Sequence, residues 1–287
     1  MNRIALLLTA VAILTLAGVS ARAGEVFDPP FMSRPNLSPD GTQIAFEYGG
    51  DIWICSSEGG EARRLTVHVA GESRPYFSPD GRHIVYSASY YGFLNMFIMP
   101  VEGGEARRLT FGPGYDIPSA WGEDGWIYFY SSREGFASAY KVRASGGTPV
   151  KIAGALRDDV YSPVPSFDGK SVAFCYRSSL SERNRQGTES YYTAEIYVAD
   201  NTAPATSIKR VTNNMNQDFV PQWSPDGKYL YFMTDADKTY NVMRWSVGGG
   251  FSRTKKITKL DRSGVRWLTI SKSGKAEIGR ASCRERV

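Results

Sequence analysis

Histidine and cysteine are nearly missing from this chain, with two His and three Cys among 287 residues. That scarcity excludes Cys/His metal clusters and paired-cysteine motifs. His68 follows a short basic strand-like segment and His83 stands beside a turn, so neither is placed as the base of a Ser-His-Asp triad. The chain also lacks a G-x-S-x-G elbow, a phosphate-binding Gly-rich loop and an H-E-x-x-H pair. No catalytic residue, no metal and no cofactor is therefore expected in this segment. Asp235 and Asp237 in "TDADKTYN" supply two carboxylates where Ca²⁺ wants six or more oxygens, and read as a solvated turn.

Long apolar runs are absent after residue 23. The first residues, "MNRIALLLTAVAILTLAGVSARA", place Arg3 before an apolar stretch from Ile4 to Val19, then Ala21, Arg22 and Ala23 as a small-x-small cleavage site. The stretch is 16 residues long, short of the ~20 that span a bilayer. Residues 1–23 are expected to be a secretory signal peptide, leaving no membrane anchor once it is cleaved, with a periplasmic or secreted location. Charge of one sign is lacking too. Of the net +5, the first 23 residues contribute +2 and the last eleven +1, which leaves +2 for the body. Such a balanced surface is no nucleic-acid footprint. Body cysteines are Cys55 and Cys175, both in apolar strand-like runs, and no disulfide is expected between them.

What the chain does contain is one unit repeated. The turn recurs as "LSPDG" (37–41), "FSPDG" (77–81), "WGEDG" (121–125), "SFDG" (166–169) and "WSPDG" (223–227), followed by "ISKSG" (270–274). Asp40, Asp80, Asp124, Asp168 and Asp226 are spaced by 40, 44, 44 and 58, with Ser273 coming 47 later. A period in the low forties is that of a four-stranded propeller blade. Ser, then Pro with φ already near −65°, then Gly at the fourth position describe a type I turn. After each turn comes a β-forming run such as "QIAFEY", "HIVYSAS" or "YLYFMT", then a third strand such as "DIWICSS" or "EIYVAD".

A fourth strand closes each unit, and "EGGEARRLT" occurs word for word at 58–66 and 102–110. Arg63, Arg64, Arg107 and Arg108 are read as guards that keep an outer strand edge from pairing with another chain. Trp53, Trp121, Trp223 and Trp245 recur at strand positions and are expected between blades. The fold class is all-β: a β-propeller of four-stranded blades, five complete and a sixth begun, six-bladed when whole.

The pattern "xxPxxSPDGxxIxF…DIWxxxxxGGExRRLT" resembles the WD40-like repeats of periplasmic propellers, found in TolB-like proteins, prolyl-oligopeptidase relatives and tricorn-like peptidases. The resemblance covers about residues 31–275. TolB-like proteins carry an α/β domain ahead of the propeller, whereas here repeats start within about ten residues of Gly24. The chain is most similar to the N-terminal propeller of a secreted tricorn-like serine peptidase. That likeness implies a non-catalytic module guiding or filtering peptides, with C-terminal catalytic domains on the same polypeptide as partners and a homo-oligomeric full-length protein. A stand-alone TolB-like protein-binding propeller and the propeller of a prolyl-oligopeptidase-like hydrolase remain open as alternatives.

The fourth unit is longer by about 14 residues, within "RSSLSERNRQGTESYYTAEIYVAD", and this insertion also resembles the tricorn-like fourth blade. Arg177, Arg183 and Arg185 there are candidates for meeting acidic groups or a peptide carboxylate through bidentate hydrogen bonds. Tyr90 and Tyr91, after "YSAS", are candidates for a mouth of the central channel. The closing "EIGRASCRERV" fits no repeat. "IGRASCRERV" is what a widely used short-read sequencing adapter encodes when translated in frame. The expected division is thus signal peptide 1–23, propeller 24–276 cut short in its sixth blade, and a non-native 277–287.

Overall fold

The computed structural model describes residues 32–154, 158–178, 193–214, 216–250, 253–261 and 264–280. Blade one is built from β1 (Ser33–Leu37), β2 (Gln43–Tyr48), β3 (Asp51–Ser56) and β4 (Arg63–Arg64). Blade two follows with β5 (Glu72–Phe77), β6 (His83–Ala88), β7 (Asn95–Pro100) and β8 (Arg107–Arg108). Blade three has β9 (Asp116–Trp121), β10 (Trp126–Ser131), β11 (Ser138–Arg143) and β12 (Val150–Ala153). Blade four has β13 (Asp158–Pro165), β14 (Ser171–Ser178) and β15 (Glu195–Asp200), one helical turn α1 (Pro204–Ser207), and β16 (Lys209–Arg210). Blade five is β17 (Asp218–Trp223), β18 (Tyr229–Thr234), β19 (Asn241–Ser246) and β20 (Thr254–Lys256), and the sixth unit begins with β21 (Val265–Ile270) and β22 (Ala276–Arg280).

Each complete blade is a four-stranded antiparallel meander, innermost strand first. The innermost strands β1, β5, β9, β13, β17 and β21 neighbour one another in order, and β21 also meets β1. The fold is therefore an all-β propeller, with five full blades and the start of a sixth that lies between blades five and one.

The turn chemistry is as the sequence implies. Ser38 Oγ donates to Asp40 Oδ1 at 2.6 Å, the same oxygen accepts Thr42 N at 2.9 Å, and Gly41 N donates to Ser38 O at 2.8 Å. Ser78 with Asp80, Ser166 with Asp168 and Ser224 with Asp226 repeat the 2.6 Å contact. In all four turns the Ser hydroxyl, followed by backbone N–H groups, holds the Asp carboxyl below its ordinary range. Gly41 closes its turn at φ +73°, a conformation that a Cβ disfavours.

The repeated arginines act as fasteners as well as edge charges. Arg64 Nη2 reaches Asp51 Oδ2 at 2.6 Å while its Nε donates to Thr66 O at 3.0 Å, tying the outer strand to the start of β3. Arg108 does the same with Asn95 and Thr110 O, and Arg210 with Glu195 and Thr212 O. Arg63 donates instead to Val101 O and Glu102 O of the next blade at 2.8 and 3.2 Å, and Arg107 to Ala144 O at 2.5 Å.

Core lies between blades. Ile52 and Ile54 pack on Ile84 and Phe97; Val85 and Met96 on Ile127 and Phe129; Tyr128 and Ala139 on Val172 and Phe174. Trp223 and Trp245 fill the interface of blades four and five, where Trp223 Nε1 donates to Val164 O at 3.0 Å. Trp121 is partly buried against the core of blades two and three. Trp53 departs from the expected inter-blade role, since its Nε1 donates to Tyr48 O at 3.1 Å within its own hairpin. Asp235 and Asp237 serve the local loop: the first accepts Gln217 N at 2.7 Å and the second pairs with Lys256. Cys175 is buried, and that burial pushes its thiol up to about 12.

Candidate functional site: the propeller axis

An innermost strand has one edge facing the axis, which is where prolines are tolerated because no ladder partner needs their missing N–H. Pro35, Pro75, Pro163 and Pro221 occupy such positions, and the residue before each is a non-glycine in the left-handed region: Arg34 at φ +49°, Arg74 at +55°, Ser162 at +51° and Val220 at +53°. Each sits where the pairing register slips, so a bulge turns its side chain out of the ladder. Conformations of this kind cost on the order of 1–3 kcal/mol each and concentrate at functional sites. Blades one and two put arginine there, in the shared tripeptide Ser-Arg-Pro at 33–35 and 73–75.

Glu47 gathers both. Its carboxylate accepts Ser33 Oγ at 3.2 Å, Arg34 Nη1 at 2.5 Å and the backbone N–H of Arg74. Its side chain is 10% exposed and that of Arg34 38%. The Arg74 guanidinium carbon lies 5.5 Å from the ring centroids of both Tyr130 and Trp267. Tyr130 belongs to blade three and Trp267 to the sixth unit, which are opposite each other in the ring, so Arg74 stands on the axis itself. Tyr76 and Tyr130 complete this layer; burial raises both phenols, while the charge of Arg74 opposes the rise.

Beyond the arginine layer, toward the Ser-Pro-Asp-Gly turns, the channel holds a cavity of about 100 Å³ with walls from all six units, Asn36, Phe77, Trp121, Pro165, Gln222 and Ile270 among them. Lys272 and Glu123, again from opposite units, pair at 2.9 Å. The axis thus offers cationic and aromatic groups on one side and a small mixed cavity on the other.

Among the residues singled out from sequence, Tyr90 donates to Glu72 Oε1 at 2.7 Å and packs on His68 and Phe97. Tyr91 is 65% exposed, with its ring against Phe97 and under the Arg108 guanidinium. Tyr90 therefore bridges the first strand of blade two, through Glu72, and the third, through Phe97, while Tyr91 lies over the third and fourth. Arg177 stands on β14 opposite Asp159 and near Tyr161, so it borders the ring of aromatics formed by Tyr115, Tyr130 and Tyr161. Arg183 and Arg185 lie outside the described residues. Arg34 and Arg74 were missed, although the duplicated Ser-Arg-Pro, two residues ahead of the Ser-Pro-Asp-Gly turns of blades one and two, was a visible signal. Among the described residues no group of three or more His, Cys, Asp or Glu is arranged to hold a metal, and no helix is long and apolar enough to cross a membrane.

Fold and axis together define a WD40-like β-propeller with a chemically distinct axial layer. Residues 29–276 match the family described as the tricorn protease N-terminal beta propeller domain, and the chain belongs to that family. It is 29% identical over 202 residues to an uncharacterized protein of Agrobacterium fabrum, covering 67% of this chain and 66% of that protein. It is 26% identical over 219 residues to the Tol-Pal system protein TolB of Francisella tularensis, covering 74% of this chain and 47% of TolB. The crystal structure of the tricorn protease aligns with a TM-score of 0.68 at 17% identity, over 88% of this chain and 24% of that one, a likeness of fold alone. The chain spans less than two thirds of the length of these relatives.

Proposed function

We propose that this chain is a peptide-handling propeller of a tricorn-like serine peptidase, guiding or filtering short peptides for catalytic domains carried elsewhere on the same polypeptide. The observation that carries this reading is the coincidence of the family match over 29–276 with an axial layer of guanidinium and aromatic groups. In this reading residues 1–23 are removed on export, the propeller works in the periplasm or outside the cell, the parent protein is a homo-oligomer, and residues 277–287 are not native. The insertion that carries Arg177, Arg183 and Arg185 adds cationic groups for acidic or carboxylate ends of peptides.

The test is equilibrium binding of labelled short peptides by fluorescence anisotropy. Saturable binding, competed by unlabelled peptide, is expected. Indifference to peptides, together with capture of one folded protein, would favour the second reading, a protein-docking propeller like TolB, which the 26% identity over 219 residues supports. Reading the source DNA past codon 276 separates the parents: a second propeller with a PDZ-like segment supports the tricorn-like one, a stop after one blade the TolB-like one, and a G-x-S-x-G elbow a prolyl-oligopeptidase-like hydrolase.

A further inference from the structure

Among the described residues, the guanidinium groups of Arg34 and Arg74 and the single carboxylate of Glu47 meet in this layer, one positive charge in excess. Arg34 is paired with Glu47 at 2.5 Å. Arg74 gives Glu47 only its backbone N–H, and among the described residues its guanidinium has no carboxylate within salt-bridge distance; its neighbours are the faces of Tyr130 and Trp267. The other polar groups facing it are the phenols of Tyr76 and Tyr130, both kept neutral by burial, with the Cys175 thiol near Tyr130. A half-buried guanidinium without a counter-charge favours capture of an anion. Its planar fork of donors suits an oxyanion with two oxygens.

The backbone makes the same point independently. Both arginines are held at left-handed bulges, at φ +49° and +55°, where Ser162 and Val220 of blades four and five carry no charge. Among these four bulges the positive charge thus belongs to blades one and two. Arg74 also extends from blade two to rings on the opposite units three and six.

We infer that Arg74, flanked by Arg34, is the receptor for a carboxylate or another compact oxyanion on the propeller axis, and that Glu47 is an internal carboxylate competing for the same arginines. The ligand's identity as a peptide rests on the function proposed above; the anion site does not. A peptide held this way is anchored at the axis by an acidic end.

The test is a titration of the full chain, followed by the heat of binding and by total tryptophan emission, with inorganic phosphate, with a short peptide bearing a free C-terminal carboxylate, and with the same peptide amidated. Phosphate and the free-acid peptide are expected to bind saturably and the amide at least about tenfold more weakly, which corresponds to about 1.4 kcal/mol. Arg74→Gln should weaken both anions about tenfold or more, with Arg74→Lys intermediate because it keeps the charge and loses the fork. Glu47→Gln should tighten both, because a neutral amide releases Arg34. If Arg74→Gln does not fold, Arg34→Gln and Glu47→Gln carry the test, and equal affinity in both and in the parent overturns the inference. Phosphate binding without any peptide binding keeps the anion site and refutes the peptide reading. Equal binding of acid and amide with no response to phosphate does the reverse.

Discussion

Thr110→Val isolates a hydrogen bond by which four of the five complete blades fasten their outer end. Thr110 Oγ1 accepts the backbone N–H of Met96 at 2.9 Å, with the two residues 2% and 0% exposed. The same bond recurs from Ile52 to Thr66 at 2.9 Å, Ile196 to Thr212 at 3.0 Å and Val242 to Thr258 at 2.9 Å. Valine matches threonine in shape, so the substitution removes one acceptor and opens no cavity. Leu109 N still donates to Met96 O at 2.8 Å, so the N–H of Met96 alone loses its partner. An unsatisfied buried N–H costs about 1–3 kcal/mol. At roughly 2–4 °C per kcal/mol for a domain of this size, Tm should fall by about 2–12 °C. Urea unfolding should show a lower midpoint at unchanged m-value, and amide exchange at Met96 should accelerate. A Thr110→Val protein as stable as the parent would refute the reasoning, since the hydroxyl would then be filling space only.

Trp223→Ala should cost about 3–5 kcal/mol, because the indole is 3% exposed and fills the interface between blades four and five; denaturant titration checks this, and a loss under 1 kcal/mol would show that the interface collapses around the gap. Asp218→Asn should change the pH profile. Burial holds the Asp218 carboxyl above its ordinary range, so its contribution to stability is present below the unfolded value and lost as pH rises through the folded one. The asparagine variant lacks that loss, and its stability relative to the parent should grow from acid to neutral pH; a difference independent of pH contradicts the assignment.

The blades were legible because their determinants are local. A Ser-Pro-Asp-Gly turn acts over four residues, and an alternating run such as "QIAFEY" declares a strand by its own period. Locality also bounds what can be read from a stretch of chain. Tyr90 and Tyr91 lie in the loop after β6, and only the fold holds Tyr90 between Glu72 on the first strand of blade two and Phe97 on the third. Arg63 and Arg64 read as edge charges, and only pairing with Asp51, Val101 and Glu102 shows that they bind strand to strand and blade to blade.

Repeat, turn type, strand pattern and closed all-β architecture were all contained in the order of residues, since each depends on neighbours a few positions apart. The axial layer was not. Arg34, Arg74, Tyr130 and Trp267 come from four different units, and only closure of the ring of innermost strands brings them within contact of one another. Composition gave Arg74 the same weight as any other arginine; its place opposite two aromatic rings, on a backbone bulge beside an already paired Arg34, is a property of the assembled propeller.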